Sequence, residues 1–323
     1  MRSYHSLAAC LLMTVSGVCS AKTYELNIST ALSSNNPVVH ALDKFKEQIA
    51  NDTNGRLIVH IFPSGQLGST EDVMGQAKSG ANVAVLVDPG RLAEYEKPLG
   101  VLSMPYIVDN YKQFGKISKS QLFKGWASAL AKKSGLKLLG FNWYQGAREL
   151  LTKKPVRNPA DLHGIRMRTI DTPIWIKTIA AMGAKPTPMP WTQVYSALQM
   201  GAIDAAEAQI TAAYGQHLQD VIKFVTPTHH ILLISGFVTS NNWFQKLPKE
   251  LQQTLVKDLN AAGDAASKAT VLADKADRKK MEADGVKFLS VNVAPFRKRT
   301  EVVYRELGYM KERTKILNIL KQN

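Results

Sequence analysis

The residue types that most often perform chemistry in proteins are present here, but their spacing matches no catalytic or metal-binding motif. The seven histidines include no His-Glu-x-x-His pattern, and the only adjacent pair is His229-His230. There is no Gly-x-Ser-x-Gly turn, no phosphate-binding loop and no Gly-x-Gly-x-x-Gly run after a strand pattern. We therefore expect no metal site and no cofactor. The same absence argues against an enzyme, although catalytic groups can also assemble from distant positions.

The first 21 residues have the composition of a secretory signal peptide. Arg2 precedes an apolar run from Leu7 to Val18, and small residues follow up to Ala21. That run is shorter than the roughly 20 residues of a spanning helix, so we predict export with cleavage near Ala21. Because Cys10 and Cys19 are the only cysteines, the mature chain would contain neither disulfide nor thiolate ligand.

The charge balance is strongly basic. Lysine and arginine number 41 against 26 aspartate and glutamate, a formal net charge of +15. Basic runs at 277–280 and 296–299 fall on predicted helices and lack the interleaved aromatic residues of nucleic-acid-binding surfaces. We interpret them as solvated faces and expect no nucleic-acid partner. A positive field would still favour the capture of small anions.

Hydrophobic periodicity predicts an α/β protein of two lobes. Strand and helix patterns alternate along the chain, for example a strand at Gly164 to Thr169 and a helix at Thr172 to Met182, which is typical of parallel βαβ units. The apolar run from His229 to Thr239 is long enough to cross between domains. From Pro248 to about Asp284 the pattern predicts one helix of about 50 Å, longer than a domain is wide. We expect this helix to cross both lobes, with a ligand cleft between them.

The predicted division of the chain has three parts. Residues 1–21 form the signal peptide. The first lobe comprises 22–145 plus 234–273, and the second lobe comprises 146–233 plus 274–323.

A block of motifs from Gly146 to Gln209 closely resembles the solute-binding proteins of tripartite ATP-independent periplasmic (TRAP) transporters. In order, the matching segments are Gly146-Ala147-Arg148, Gly164-Ile165-Arg166-Met167-Arg168, Gly183-Ala184-Lys185-Pro186-Thr187-Pro188-Met189 and Tyr195-Ser196-Ala197-Leu198-Gln199-Met200-Gly201-Ala202-Ile203-Asp204. Upstream, the segments at 63–68 and 104–106 match as well. The resemblance therefore covers nearly the whole mature chain. It implies a periplasmic, non-enzymatic protein, monomeric in our expectation, that closes on a small organic acid anion and delivers it to membrane permease subunits.

The resemblance also implies where the ligand binds. The family's carboxylate-holding arginine matches Arg168, and a guanidinium suits that role because its planar fork faces two carboxylate oxygens and keeps its charge when desolvated. A second ligand-contacting arginine, found in sugar-acid-binding members, matches Arg148. Five further residues are weaker candidates for ligand contact. They match the family's aromatic residue that packs on the ligand, its polar loop contacts or acidic residues beside the site: Trp191, Asp88, Arg91, Asp171 and Glu207.

The ligand's identity stays open at this stage. This chain has Ala208-Gln209 after Glu207, where several relatives place asparagine, and it has the small Ala31 where the first strand can carry a polar contact. Sialic acid is therefore disfavoured. The leading expectation is a sugar acid such as a uronate or aldonate, and the alternatives are a C4-dicarboxylate or a 2-oxo acid. A rival from another class is an exported enzyme acting on acidic saccharides, which would need a proton-transfer group in the cleft.

Overall fold

The computed structural model describes residues 22–322, and the predicted signal peptide lies outside this range. The strands are β1 Tyr24–Ser29, β2 Leu57–Phe62, β3 Val83–Val87, β4 Leu136–Thr152, β5 Arg166–Thr169, β6 Lys185–Pro188, β7 Ala205–Gln209, β8 Phe224–Ser240 and β9 Lys287–Phe288. The helices are α1 Pro37–Asp52, α2 Thr70–Lys78, α3 Pro89–Leu92, α4 Gln113–Lys119, α5 Gln121–Ser134, α6 Pro173–Met182, α7 Val194–Gln199, α8 Ile210–Gly215, α9 Asn241–Gln245, α10 Lys249–Ala283, α11 Ala294–Glu306 and α12 Met310–Lys321.

The described strands form one mixed sheet in the order β2-β1-β3-β8-β4-β7-β5-β6, with β9 beside β8. The three strands at one end, β2-β1-β3, pair in parallel, and so do β7-β5-β6 at the other end. These two groups are the βαβ units of the two lobes. Between them, β4 and β8 run antiparallel to each other and to their neighbours β7 and β3, which the alternating pattern did not predict.

Three long elements join the two lobes. Strands β4 and β8 each have 17 residues and pair with each other from Leu136 to Thr152 of β4; β8 also pairs with β3 of the first group, and β4 also pairs with β7 of the second group. Helix α10 has 35 residues, about 50 Å at the usual rise, and packs on α1 of the first lobe and α8 of the second. The predictions of a crossing strand at 229–239 and a helix across both lobes are confirmed.

Each lobe has its own buried apolar cluster. In the first, Val38, Leu42 and Phe45 of α1 pack against β1, β2 and α10. In the second, Leu198 of α7 packs with Ala206 and Val225 of the neighbouring strands. Helix α11 packs on α6, whereas α12 packs on α4. The lobe boundaries predicted above stay a prediction, and the contacts of α12 would place that helix with the first lobe.

No helix among residues 22–322 combines the length and the apolar composition that crossing a membrane requires.

Candidate functional site

A polar cavity lies between the two lobes, where the loops after β1 and β3 face β5, β7 and β4. The space free of protein atoms is about 530 Å³, including the open mouth. Its lining residues are Thr30, Ala31, Leu32, Thr70, Leu86, Asp88, Arg91, Gln145, Arg148, Arg168, Ile170, Trp191, Gln209, Ala212 and Leu233. Three of the fifteen are arginines, so the cavity has the chemistry of an anion-binding site.

Arg168 is a buried cation without a hydrogen-bonded carboxylate. It lies on β5, its relative exposure is 2%, and its Nε and Nη2 donate to the Met189 carbonyl at 3.2 and 3.0 Å. The carboxylate of Glu207 is farther away, with Oε1 4.0 Å from Nη1. Burial lowers the pKa of Arg168 to about 9; Glu207 opposes this, while the positive charges of Arg148 and Arg91 add to it. The side chain is still charged at neutral pH, and its charge is only partly compensated.

Arg148 is held in place from β7. It lies opposite Gln209 in the antiparallel pairing of β4 and β7. Its Nε donates to Glu207 Oε2, its Nη2 donates to the Glu207 carbonyl at 2.5 Å, and its Nη1 donates to Gln209 Oε1 at 3.0 Å. All three nitrogens thus bind protein groups. The remaining Nη hydrogens are the ones that a ligand could use.

Glu207 lies behind the cavity and does not line it. Its side chain is fully buried, with Arg148 on one oxygen and the Thr169 hydroxyl donating to the other at 3.2 Å. His230 Nε2 lies 3.6 Å away. Burial raises the pKa of this carboxyl, but the charge and hydrogen bond of Arg148, with the nearby His230 imidazole, outweigh that effect and bring the pKa to about 2. Glu207 therefore stays ionised and orients Arg148; in this structure it offers no free oxygen to a ligand.

Trp191 lines the cavity beside Arg168. Its ring centroid lies 5.2 Å from Arg168 Cζ, a cation–π distance. Its indole Nε1 is buried and has no hydrogen-bond partner among the described residues. A buried donor without a partner is costly unless a water or a ligand accepts from it. This atom is therefore available to a ligand oxygen.

Asp88 and Arg91 line the opposite wall, at the start of α3. Asp88 caps that helix, accepting from the Arg91 backbone N–H at 3.1 Å, and its carboxylate pairs with the Arg91 guanidinium. Arg91 also pairs with Glu71 at 2.6 Å. Burial lowers the pKa of Arg91, but these two carboxylates outweigh it and raise the pKa overall. Both residues reach the cavity as a neutralised pair, unlike Arg168.

The structure does not bring Asp171 to the cavity: it follows β5 as an exposed residue outside the lining set. It does add residues that the sequence reasoning did not propose as contacts. Gln209 and Gln145 are linked through their side-chain amides at 3.4 Å, and Thr30 and Thr70 lie on the first-lobe wall. In the sequence, Gln209 stood out only because several relatives differ near this position. Its hydrogen bond with Arg148 depends on the pairing of β4 with β7, which the sequence does not reveal.

No group of three or more histidine, aspartate or glutamate side chains within residues 22–322 has the arrangement of a metal site.

Two α/β lobes joined by three crossing elements, with a buried cationic cavity between them, define a two-lobed solute-binding protein. Residues 28–311 match the model of the Bacterial extracellular solute-binding protein, family 7, so the chain belongs to that family. It is a TRAP-type solute-binding protein, as the resemblance predicted.

Three solved TRAP periplasmic solute-binding proteins illustrate the likeness. The first, from Escherichia fergusonii in an apo open structure, is 38% identical with a TM-score of 0.81, covering 91% of this chain and 99% of its own. The second, from Ochrobacterium anthropi with bound L-fuconate, is 32% identical with a TM-score of 0.90, covering 93% and 100%. The third, from Actinobacillus succinogenes with bound L-galactonate, is 27% identical with a TM-score of 0.90, covering 93% and 100%.

The order of these TM-scores does not follow sequence identity. The open structure without ligand is the most similar of the three in sequence, yet it superposes less well than the two with bound ligand. The overall structure of this chain is therefore more similar to these two ligand-bound relatives than to the open one.

Proposed function

We propose that this protein captures a sugar acid in the periplasm and delivers it to the membrane permease subunits of a TRAP transporter, without chemical change. The single observation that carries the proposal is Arg168, a buried guanidinium whose charge no hydrogen-bonded carboxylate compensates. An uncompensated buried cation destabilises the empty closed cavity, and a ligand carboxylate would remove that cost. Its fork geometry favours a carboxylate over a neutral sugar.

Arg148 is the second carboxylate ligand in this proposal. Because Glu207 and Gln209 fix its guanidinium, little side-chain entropy would be lost when a ligand binds. Asp88, Arg91 and the two glutamines would contact the ligand hydroxyls, and Trp191 would cover a C–H face while its free Nε1 donates to an oxygen. Asp171 and Glu207 have no direct contact in this arrangement.

Hinge closure would couple capture to transport. The ligand bridges groups on both walls of the cavity, so the closed state gains contacts that the open state lacks, and the population shifts toward closure. Proteins of this family bind small organic acid anions and work with membrane permease subunits, and the family is periplasmic. For this chain we propose a monomer with the signal peptide removed near Ala21.

Within the sugar acids, we favour an open-chain aldonate. The two ligand-bound relatives described above carry L-fuconate and L-galactonate. Two paired glutamines and two threonines along the cavity offer both donors and acceptors, as a polyhydroxyl chain requires. A uronate remains in the same class. A C4-dicarboxylate or a 2-oxo acid would use the same arginines but leave most of these polar groups without partners.

Isothermal titration calorimetry and melting shifts with a ligand panel test the proposal. The panel comprises L-galactonate, L-fuconate, D-glucuronate, succinate, pyruvate and neutral L-galactose. We expect binding of at least one sugar acid, much weaker binding of succinate and pyruvate, and none of galactose. Tight binding of galactose, or of succinate alone, would contradict the proposal. Product formation at catalytic protein concentration would favour the rival enzyme.

A further inference from the structure

We propose that Trp175 is a positioning residue for lobe closure: its indole joins the ligand-binding Arg148 to the opposite lobe at Asp88 and Gly90. The inference rests on the function proposed above. Trp175 does not line the cavity. We infer that it couples ligand binding to the closure of the lobes.

Trp175 makes a hydrogen bond that crosses between the lobes. It lies in the first turn of α6, which follows β5 of the second lobe, and its side chain is fully buried. Its Nε1 donates to Asp88 Oδ1 at 3.3 Å, and Asp88 follows β3 of the first lobe. The other oxygen of Asp88 pairs with Arg91, so the carboxylate is fixed in orientation. Opening the lobes would break this hydrogen bond.

Gly90 leaves the space that the indole needs. A Cβ at Gly90 would lie 2.6 Å from Trp175 Nε1 and 3.2 Å from its Cδ1, and 2.9 Å from Asp88 Oδ1 of its own lobe, so the indole and the carboxylate would both have to move. Gly90 does not have a positive φ, so backbone conformation does not require glycine there. The tightest contact comes instead from a side chain of the opposite lobe, and that part of the requirement exists only while the lobes are in contact.

The same indole lies against the proposed ligand-binding arginine. Arg148 Cζ is 4.7 Å from the Trp175 ring centroid, within cation–π range. A carboxylate bound to Arg148 would fix the guanidinium against the ring, and the ring in turn presents its N–H to Asp88. Trp175 thus contacts the binding group and the closing lobe at once, and closure would add a hydrogen bond to a charged group, one of the stronger kinds.

A purely structural role is the competing explanation, because Trp175 also packs with Ile170, Ile231 and Leu233. The two roles differ in what the N–H contributes. Core packing depends on the ring, whereas closure depends on the donor and on the free space at Gly90. Trp175→Phe keeps most of the ring and removes the donor. Gly90→Ala keeps the indole and blocks its approach, and it favours the helical backbone of α3 in the open state.

The test uses the full mature chain with the sugar acid that wild type binds best. Small-angle X-ray scattering measures compaction on ligand addition, calorimetry measures affinity, and melting of the unliganded protein reports the fold. We expect both variants to keep a cooperative melting transition without ligand, to bind about 10-fold or more weakly, and to compact less at saturating ligand. Trp126→Phe is the matched control: this tryptophan is buried in the first-lobe core away from the cavity, and its variant should bind and compact like wild type.

Wild-type affinity and compaction in Trp175→Phe and Gly90→Ala would overturn the inference and leave the proposed function intact. If wild type itself bound no sugar acid of the panel, the proposed function and this inference would both be wrong.

Discussion

Nη1 of Arg168 lies 4.0 Å from Oε1 of Glu207, beyond hydrogen-bond distance, although both side chains are buried. Glu207 forms its close ion pair with Arg148 instead. One carboxylate therefore lies beside two guanidinium groups, so Arg148, Arg168 and Glu207 together carry a net positive charge. Since buried charge is costly, a second anion at this place would stabilise the closed lobes, and the ligand would supply it.

Replacing Arg168 by methionine removes the charge and keeps a long apolar stem. We expect the sugar-acid melting shift to disappear, since loss of a buried partner of a carboxylate costs about 2–5 kcal/mol of binding. The unliganded melting temperature should stay unchanged or rise, because burial disfavours this cation in the folded protein. Calorimetry and differential scanning fluorimetry measure the two effects.

Two further variants sharpen this prediction. Arg168→Lys keeps a positive charge without the planar fork, so it should not restore binding. Arg157→Ala removes an exposed arginine of the same lobe and should leave binding unchanged. Full ligand stabilisation in Arg168→Met would show that the carboxylate binds elsewhere.

Glu207→Gln should have the opposite effect to Arg168→Met: it should lower the stability of the unliganded protein more than it weakens ligand binding. Without this carboxylate, Arg148 and Arg168 are buried cations with no anion beside them, so we expect the free energy of unfolding to fall by about 3–5 kcal/mol. The pKa of Glu207 is lowered to about 2, so its stabilisation is present above the unfolded value near 4.5 and is lost as pH falls toward 2. The difference from wild type should shrink across that window.

Chemical denaturation at several pH values checks the Glu207 prediction. Glu47→Gln, at an exposed position of α1, is the control and should match wild type. The destabilised Glu207→Gln protein should still gain stability from the sugar acid, because the cationic site remains. A variant as stable as wild type at pH 7 would mean that the ion pair contributes nothing to stability.

The sequence was sufficient for elements whose signals are local. The leucine period after Pro248 predicted a helix to about Asp284, and α10 runs from Lys249 to Ala283. The full length of β4, from Leu136 to Thr152, is not visible as an alternation of apolar and polar residues. The alternation fails there because the pairing with β8 shifts register at several points and Gly146 has a φ of +117°.

Other features of the fold and of the site depend on tertiary contacts, which local sequence patterns do not reveal. The segment Lys185–Pro188 contains two prolines, a composition typical of a connection, but it forms β6 at the edge of the sheet, where a missing N–H is tolerated. Resemblance pointed to Glu207 beside the ligand, yet only the pairing of β7 with β4 reveals that it binds Arg148. Nothing in the sequence near Trp175 indicated a contact with Asp88, 87 positions away.

Trp191→Leu should weaken sugar-acid binding by about 10-fold, since it removes both the ring beside Arg168 and the unpartnered indole N–H. Trp191→Phe restores a ring but no donor, so we expect an intermediate affinity. Calorimetry at constant salt measures both. Trp243→Leu, on α9 away from the cavity, is the control and should bind like wild type. Equal affinity in all three variants would remove Trp191 from the site.

Asp274 lies among titratable groups where the three crossing elements meet. His229 of β8 pairs with Glu149 of β4 at 2.5 Å, and Asp274 of α10 lies in their field, with Arg278 and Asp277 nearby on the same helix. Burial, then the charge of Glu149, raises the pKa of Asp274 to about 6, while His229 and Arg278 oppose the shift. Between the unfolded value near 3.8 and 6, the folded state binds more protons, so stability falls as pH rises through this window.

Asp274→Asn removes that penalty, and we expect it to be more stable than wild type by roughly 1–2 kcal/mol at pH 8, with no difference near pH 4. Urea denaturation at half-unit pH steps measures the gap. The pKa of His229 is also raised, chiefly by its hydrogen bond to Glu149. Wild type and variant should therefore both lose further stability as the pH rises through the pKa of His229 in the folded protein. Asp43→Asn, on the exposed side of α1, should follow wild type at every pH. A gap of the same size at pH 4 and pH 8 would assign the effect to packing and not to titration of this carboxyl.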